Sequence, residues 1–526
     1  MRSIRSLVLA LAAGGVLLSA VVPVSAQSPI EELLLRRVQE LEEKLQRLEE
    51  KLEQQTRANS ATPAAASAQT QTPVAPAAST VDAQPPAVTA ASTAEASQPP
   101  LQKQIEDFDQ QVRILARQRE LDQEAAEARS KETPIVTAGK DGFSVKSADN
   151  AFWLRFGGLV QADYRDYFES NVSPTPYEQF LMRRVRPVFE GRLYEKFAFL
   201  IRAELAGTVQ LLDAYIAANL WPELRLRAGK FKAPVGLERL QNPAWLQFAE
   251  RAMPTNLVPN RDIGVQLFGD LFDGTLSYQA GAFDGAVDGN SINNSTQNSH
   301  LNFTGRLFAH PFKHSAIDPL RGLGVGIAYT TGDQNGTLSS ANLPSYVTPG
   351  QQNFFTYTAG AFANGNRTNL SPQFYYYFGP FGLFGEYVSA QQTVTRGTNT
   401  QDVGSSAWQL YATWVLTGED ASYTGVNPRN PFDWRTRKWG AFDVNARVAQ
   451  LTVDNAAFVG SSATWLANPN AAARKATDVG VSMNWYLNRN IKLQLTYDQT
   501  SFEGGAPGGR DQDDEKVLFT RLQAHY

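Results

Sequence analysis

From residue 152 to residue 526, apolar and polar side chains alternate at period two, in runs punctuated by Gly, Asn, Asp and Pro. Successive residues of a strand point to opposite faces. Each run therefore predicts a strand with one greasy face and one polar face. Residues 180–232 show this best. Val185, Phe189 and Leu193 alternate with Arg184, Arg186, Glu190 and Arg192. Beyond a turn at Tyr194, Glu195 and Lys196, the residues Phe197, Phe199 and Ile201 alternate with Leu200, Arg202 and Glu204. Leu224 and Leu226 alternate with Arg225 and Arg227, and the run ends in Lys230 and Lys232. A second clear pair flanks Asn488, Arg489 and Asn490: Val479, Val481, Met483 and Trp485 on one side, Ile491, Leu493, Leu495 and Tyr497 on the other. In the final run, Leu518, Thr520, Leu522, Ala524 and the terminal Tyr526 share one face, like the signal read by barrel-assembly machinery.

A soluble sandwich also alternates. The repetition of arginine on one face of adjacent strands favours a membrane barrel, whose apolar face meets lipid and whose other face lines a wet lumen. Tight turns at Trp221-Pro222-Glu223 and Gly379-Pro380 contrast with long polar loops at 284–299, 333–353 and 418–436. One short-turned end and one long-looped end is the asymmetry of porins. No run after the N-terminus is apolar and long enough for a membrane helix, so a membrane protein of this sequence must close its sheet.

The N-terminal quarter reads differently. Residues 1–26 carry Arg2 and Arg5, an apolar run and Val24-Ser25-Ala26, which predicts an export signal. Leu34, Val38, Leu41, Leu45, Leu48 and Leu52 keep heptad spacing, so 27–55 predict a self-associating coiled coil. Residues 56–100, rich in Ala, Pro, Ser and Thr, predict a flexible linker. Residues 101–133 predict a second, weaker helical segment, with Leu101, Ile105, Phe108, Val112 and Leu115 in step. The barrel is expected over 139–526. The 526-residue chain has no cysteine, which excludes disulfides and thiolate metal sites, and its net charge of −4 gives no case for nucleic acid.

Three segments carry a family resemblance: Phe180-Leu-Met-Arg-Arg-Val-Arg-Pro, Gly229-Lys-Phe-Lys-Ala-Pro-Val-Gly-Leu-Glu, and Arg261-Asp-Ile-Gly-Val-Gln-Leu. With Leu370-Ser-Pro-Gln-Phe-Tyr-Tyr-Tyr-Phe-Gly-Pro-Phe, they resemble the phosphate-selective porin O and P family. The resemblance implies an all-β transmembrane barrel of about 16 antiparallel strands, assembled as a homotrimer in the outer membrane of a Gram-negative-type bacterium. The coil would then lie in the periplasm. The resemblance also implies an arginine ladder down the pore, matched by Arg184, Arg186, Arg192, Arg202, Arg225 and Arg227. Lys230 and Lys232 match the lysine motif that leads into a folded constriction loop. Their parity differs from that of Arg225 and Arg227, so a bulge near Gly229 is expected if all four face the lumen. The loop would run from about residue 233 to 261. It holds no lysine; its cations are Arg239, Arg251 and Arg261, beside Glu238 and Glu250. Anion transport follows from the resemblance more directly than phosphate specificity.

A lumen lined by Arg and Lys favours anions over cations, and guanidinium forks match phosphate oxygens. The same arginines could instead brace the wall through Glu190 and Glu204. Arg183 has the parity of the outer face and is expected to meet lipid or lipopolysaccharide phosphates. No enzyme is indicated. His310 and His314 flank Pro311, which argues against a helical metal pair, and no cofactor motif appears. Two alternatives stay open. One is a porin for other solutes such as sugars, where Phe374 and Tyr375, Tyr376 and Tyr377 would matter. The other is an anchor whose coil tethers the outer membrane to peptidoglycan.

Overall fold

A computed structural model describes residues 101–139, 142–168, 177–294 and 300–526. The expected export signal, first coil and linker lie outside the described residues. Helix α1 (Leu101–Glu132) precedes the sheet, and its Val112, Ile114, Leu115 and Leu121 are all exposed. No helix among the described residues is long and apolar enough to cross a membrane.

Strands β1 (Ile135–Gly139) and β2 (Gly142–Lys146) form a hairpin that pairs with the start of β3 (Phe152–Phe168). The chain then climbs and descends through β4 (Glu178–Leu193), β5 (Phe197–Glu204), β6 (Gln210–Trp221), β7 (Leu224–Lys232) and β8 (Arg261–Leu271). It continues through β9 (Leu276–Phe283), β10 (Asn302–Ala309) and β11 (Leu323–Asn335). A separate short hairpin, β12 (Ser345–Val347) with β13 (Asn353–Thr356), interrupts the series. The wall resumes with β14 (Ala361–Phe378), β15 (Phe381–Arg396), β16 (Asn399–Val415), β17 (Ala441–Val453), β18 (Ala473–Tyr486) and β19 (Ile491–Ala506). After β20 (Arg510–Asp511), a short extension paired to β19, comes the last strand, β21 (Glu515–His525). Neighbours are antiparallel throughout, and β21 pairs back onto β3, so sixteen of these strands close a barrel.

Closure depends on the chain end. The Gly158 amide donates to the Tyr526 carbonyl at 2.9 Å, and the Tyr526 amide returns a bond to Gly158 at 3.1 Å. A Cβ at Gly157 would stand 2.6 Å from the Tyr526 carbonyl oxygen, which explains the paired glycines there. The terminal ring packs on Phe143 and Phe156.

The two faces separate as the alternation predicts. Phe180, Phe197, Ile201, Ile216, Leu226, Val265, Trp408, Trp414, Val479 and Leu522 are exposed on the outside. Gln161, Asp163, Arg184, Gln266, Asn369, Gln409, Arg447, Asn484, Gln494 and Arg521 are buried inside. Outward aromatic pairs, Phe381 with Trp414 and Phe442 with Trp485, mark a belt near one rim, as expected where a barrel meets a membrane interface.

One end carries the turns at 194–196, 222–223, 272–275, 379–380 and 487–490, and the other carries most long connections. The connection at 416–440 breaks the expected asymmetry. It joins β16 to β17 at the short-turn end, not at the long-loop end. Its inner part enters the barrel, with Ala421 and Val426 packed on Val415, Ala441 and Tyr486. Its outer part displays Trp434 and Trp439 at the rim, where Trp439 joins Phe432 and Trp485.

A lipid-facing charge tests the assignment of faces. Ile216 lies midway along β6 and is 65% exposed. Ile216→Arg should cost about 2–4 kcal/mol of folding stability in bilayers, read from urea unfolding in liposomes. No change would mean that this face does not meet hydrocarbon.

Candidate functional site: a cationic passage beside a pinned loop

Residues 233–260 leave the end of β7 and fold back into the barrel, where most of them are buried and none is exposed. Backbone groups inside a protein need partners. The far wall supplies them from side chains that an ordinary lumen would expose to water. Glu386 accepts from the Leu237 amide at 2.6 Å. Lys492 donates to the Leu246 carbonyl at 2.7 Å, and Ser482, Asn484 and Gln494 all donate to the Gln247 carbonyl. Arg447 donates to the Glu250 carbonyl at 3.0 Å, and its guanidinium also lies 4.2 Å from the Phe248 ring centre. Gln523 and Gln161 reach the carbonyls of Ala244 and Pro243. Asn369 donates to Leu257 at 2.7 Å. Above the loop, the β12–β13 hairpin packs Tyr346, Phe354 and Phe355 onto Met253, Leu257 and Val258. Below it, Tyr423 of the 416–440 connection donates to the Leu237 carbonyl, and Gln241 donates to the Tyr423 carbonyl, each at 2.7 Å.

Glu250 holds the loop to the near wall as well. Its carboxylate lies 2.5 Å from Arg183, 2.8 Å from Arg521 and 3.3 Å from Arg184. Burial alone would raise this carboxyl, but Arg183, Arg184 and Arg521 hold it well below the ordinary glutamate range. Arg183 thus points inward, contrary to its parity. The register between β3 and β4 shifts where Gln161 pairs Arg184 and Ala162 pairs Met182, leaving Arg183 as the extra residue of a bulge. A bulge re-aims the side chain it carries.

The remaining half of the lumen, beside β3–β8, is hollow. A cavity of about 260 Å³ opens on the long-loop side of the loop. Arg183, Arg184, Arg186, Lys232, Arg239, Arg251 and Arg261 line it, with Glu250 as the one carboxylate among its lining residues. Below it lie a cavity of about 510 Å³ toward β9–β14 and one of about 170 Å³ toward Arg489, His525 and Tyr526. The upper cavity shares Lys232 with the first of these and Arg186 with the second, and all three share Pro243.

The ladder residues fall into distinct settings. Arg186 bonds Glu204 at 2.6 Å and Arg202 bonds Asp213 at 2.9 Å. Arg261, the first residue of β8, shares Asp213 at 3.1 Å. Arg225 pairs with Asp270 at 2.8 Å in a half-exposed position. Arg192 is exposed toward the short-turn rim, over the Trp153 ring. Lys232, Arg239 and Arg251 are held by carbonyl oxygens instead: Lys232 by Leu240 and Gln241, Arg239 by Thr255, Arg251 by Glu238 and Gln241. The expected bulge near Gly229 is absent. Pairing of β7 with β6 and β8 runs through Gly229 without a shift. Gly229 instead takes φ of 129°, and a Cβ there would strike the Ala214 carbonyl. Lys232 still reaches the lumen because it ends the strand where the chain turns inward. Lys230 does not line the cavities; its ammonium is capped by the Asn293 carbonyl at 2.9 Å.

Several lumen cations escaped the sequence reading. Arg155 lines the lower exit and pairs with Glu190 at 2.5 Å. Arg306 lines the larger lower cavity. Arg367 pairs with Asp288, Arg447 with Asp478 and Asp498, and Arg521 with Asp163. Their signal was present in the parity of β10, β14, β17 and β21. Of the aromatic candidates, Tyr375 faces the lumen, while Phe374 and Tyr376 alternate to the opposite face.

Glu250→Gln should leave buried guanidinium groups unpaired and destabilise the protein by about 3–5 kcal/mol, measured as a fall in the urea midpoint in micelles. The sign of the pH effect follows from the lowered carboxyl. Its contribution is complete above the unfolded value of about 4.3 and is lost progressively as pH falls from there through the lower folded value. The difference in urea midpoint between the native protein and Glu250→Gln should therefore stay constant from neutral pH down to about 4.3.

The model for "Phosphate-selective porin O and P" matches residues 154–526. Porin O of Pseudomonas aeruginosa is 25% identical over 430 residues, covering 74% of this chain and 92% of that protein. Among solved structures, the outer-membrane channel DcaP of Acinetobacter baumannii aligns with 74% of this chain and 100% of its own, at 10% identity and a TM-score of 0.47. An anion-selective porin from Comamonas acidovorans aligns with 71% of this chain and 100% of its own, at 11% identity and a TM-score of 0.43. The family match spans the whole barrel from β3 to Tyr526, and the chain therefore belongs to the phosphate-selective porin O and P family of outer-membrane porins, which are channel proteins and not enzymes.

Proposed function

We propose that this porin passes small inorganic anions, phosphate among them, by diffusion along the cationic side of the constriction loop. One observation carries the reading: seven cations line the upper cavity against the single carboxylate of Glu250. Arg183 and Arg184 are engaged by that carboxylate, while Lys232, Arg239 and Arg251 are held, among the described residues, by neutral carbonyls. Their charge is oriented but not cancelled. Fixed charges of one sign in a narrow aqueous passage favour the opposite ion. Arg186 and Arg202 continue the path to the exit beside Arg155. The preference is for anions as a class, since residues 233–260 contain no lysine.

Orientation follows from the porin pattern: the long-loop end faces outward and the short-turn end faces the periplasm. Exposed Val112, Ile114, Leu115 and Leu121 on α1 favour helix pairing between copies in a homotrimer, with the N-terminal coil in the periplasm. A tether to peptidoglycan would then be a second role, independent of conduction.

In a planar bilayer with a KCl gradient, the zero-current potential should have the sign of chloride permeation. Arg239→Glu combined with Arg251→Glu should move it toward the cation side. A cation-selective native protein would sink the reading. Removal of residues 27–132 should leave single-channel conductance unchanged if the coil serves only assembly or tethering.

A further inference from the structure

The larger of the lower cavities differs in chemistry from the upper one. Phe231, Phe308, Tyr375 and Trp245 line it together with Arg227 and Arg306, and Arg202 and Lys232 add two cations beside its carboxylate, Asp213. Its volume of about 510 Å³ falls within the ~300–1,000 Å³ of small-molecule sites. Each guanidinium lies against an aromatic face: Arg227 is 4.1 Å from the Phe231 centroid and Arg306 is 4.7 Å from that of Phe308. Their hydrogen-bond acceptors are neutral amides, Gln266 for Arg227 at 2.7 Å and Gln373 for Arg306 at 3.1 Å. Neither forms an ion pair among the described residues. The Tyr375 hydroxyl is fixed by His310 at 2.7 Å, and its ring is packed by Phe308 at 5.2 Å.

Two uncancelled guanidinium groups beside an aromatic wall select for a particular ligand shape. A hydrated inorganic anion gains from the charge but leaves the rings wet. A neutral sugar could use polar side chains such as Asn242 and Gln279, but it gains nothing from the excess positive charge of Arg202, Arg227, Lys232 and Arg306 over Asp213. A flat anion with an apolar body satisfies both parts: its carboxylate meets Arg227 or Arg306, and its ring displaces water from Phe231, Phe308 and Tyr375.

We propose that this cavity is a binding station for monocyclic aromatic carboxylates. The proposal rests on the reading that the lumen passes anions, and it adds a substrate class that the upper cavity, which has no aromatic lining, would not hold.

The test uses the full-length protein in planar bilayers in symmetrical KCl, with benzoate, acetate or inorganic phosphate added. Benzoate should interrupt the current at a concentration about tenfold below that of acetate. Tyr375→Ala and Arg227→Gln should each weaken benzoate block by about tenfold or more. Tyr376→Ala, on the opposite face of the same strand, should leave it unchanged. Equal block by benzoate and acetate in the native protein would overturn the proposal without any variant. So would full retention of benzoate block in Tyr375→Ala protein of normal conductance. A cation-directed zero-current potential would overturn the anion reading itself, which separates the two failures.

Discussion

A stretch of chain that leaves the sheet and crosses a barrel interior must find partners for its own carbonyl oxygens. That requirement organises this protein. Strands β14–β21 answer it with lysine, arginine, serine, asparagine and glutamine side chains aimed at residues 233–260. The polar inner wall expected of a porin is present, but on this side it is buried under the loop. The lumen is therefore divided. One half is filled by clusters of buried apolar side chains, with the β12–β13 hairpin and the 416–440 connection covering it from above and below. The other half stays open beside β3–β8.

Charge follows the same division. On the packed side, Arg447 and Arg521 sit on Asp478, Asp498, Asp163 and Glu250, and these groups serve structure. Removing one partner of such a buried set costs far more than the set contributes over an apolar replacement. On the open side, part of the ladder is neutralised where it stands: Arg186 on Glu204, Arg202 and Arg261 on Asp213. The unbalanced charge comes instead from the loop and its approach, at Lys232, Arg239 and Arg251. Carbonyl acceptors orient these cations without cancelling them.

Much of this could be read from the chain. Period-two alternation placed the strands, and the tight turns placed the hairpins. What escaped belongs to pairs of segments, not to single ones. Arg183 turned inward because a bulge is a property of the register between β3 and β4, which no single run of alternation reveals. The Gly229 region needed no bulge because the end of β7 already bends into the loop. Arg306 and Arg521 lay on correctly alternating strands, but their roles depend on partners far away in sequence. The 416–440 connection was misplaced because length and polarity alone do not say which rim a loop occupies; counting strands does.

The pinned loop also bears on the order in which the molecule can be made. Residues 233–260 leave the ribosome before most of the strands that hold them. The bonds from Leu237 to Glu386 and from Ala249 to Arg521 bridge 149 and 272 residues. Contacts so distant along the chain form late. Glu250 needs Arg183 and Arg184 from the start of the sheet and Arg521 from its last strand. That same last strand carries Tyr526 to Gly158. Sealing the wall and narrowing the bore are thus one cooperative step, and a half-built cylinder has no constriction.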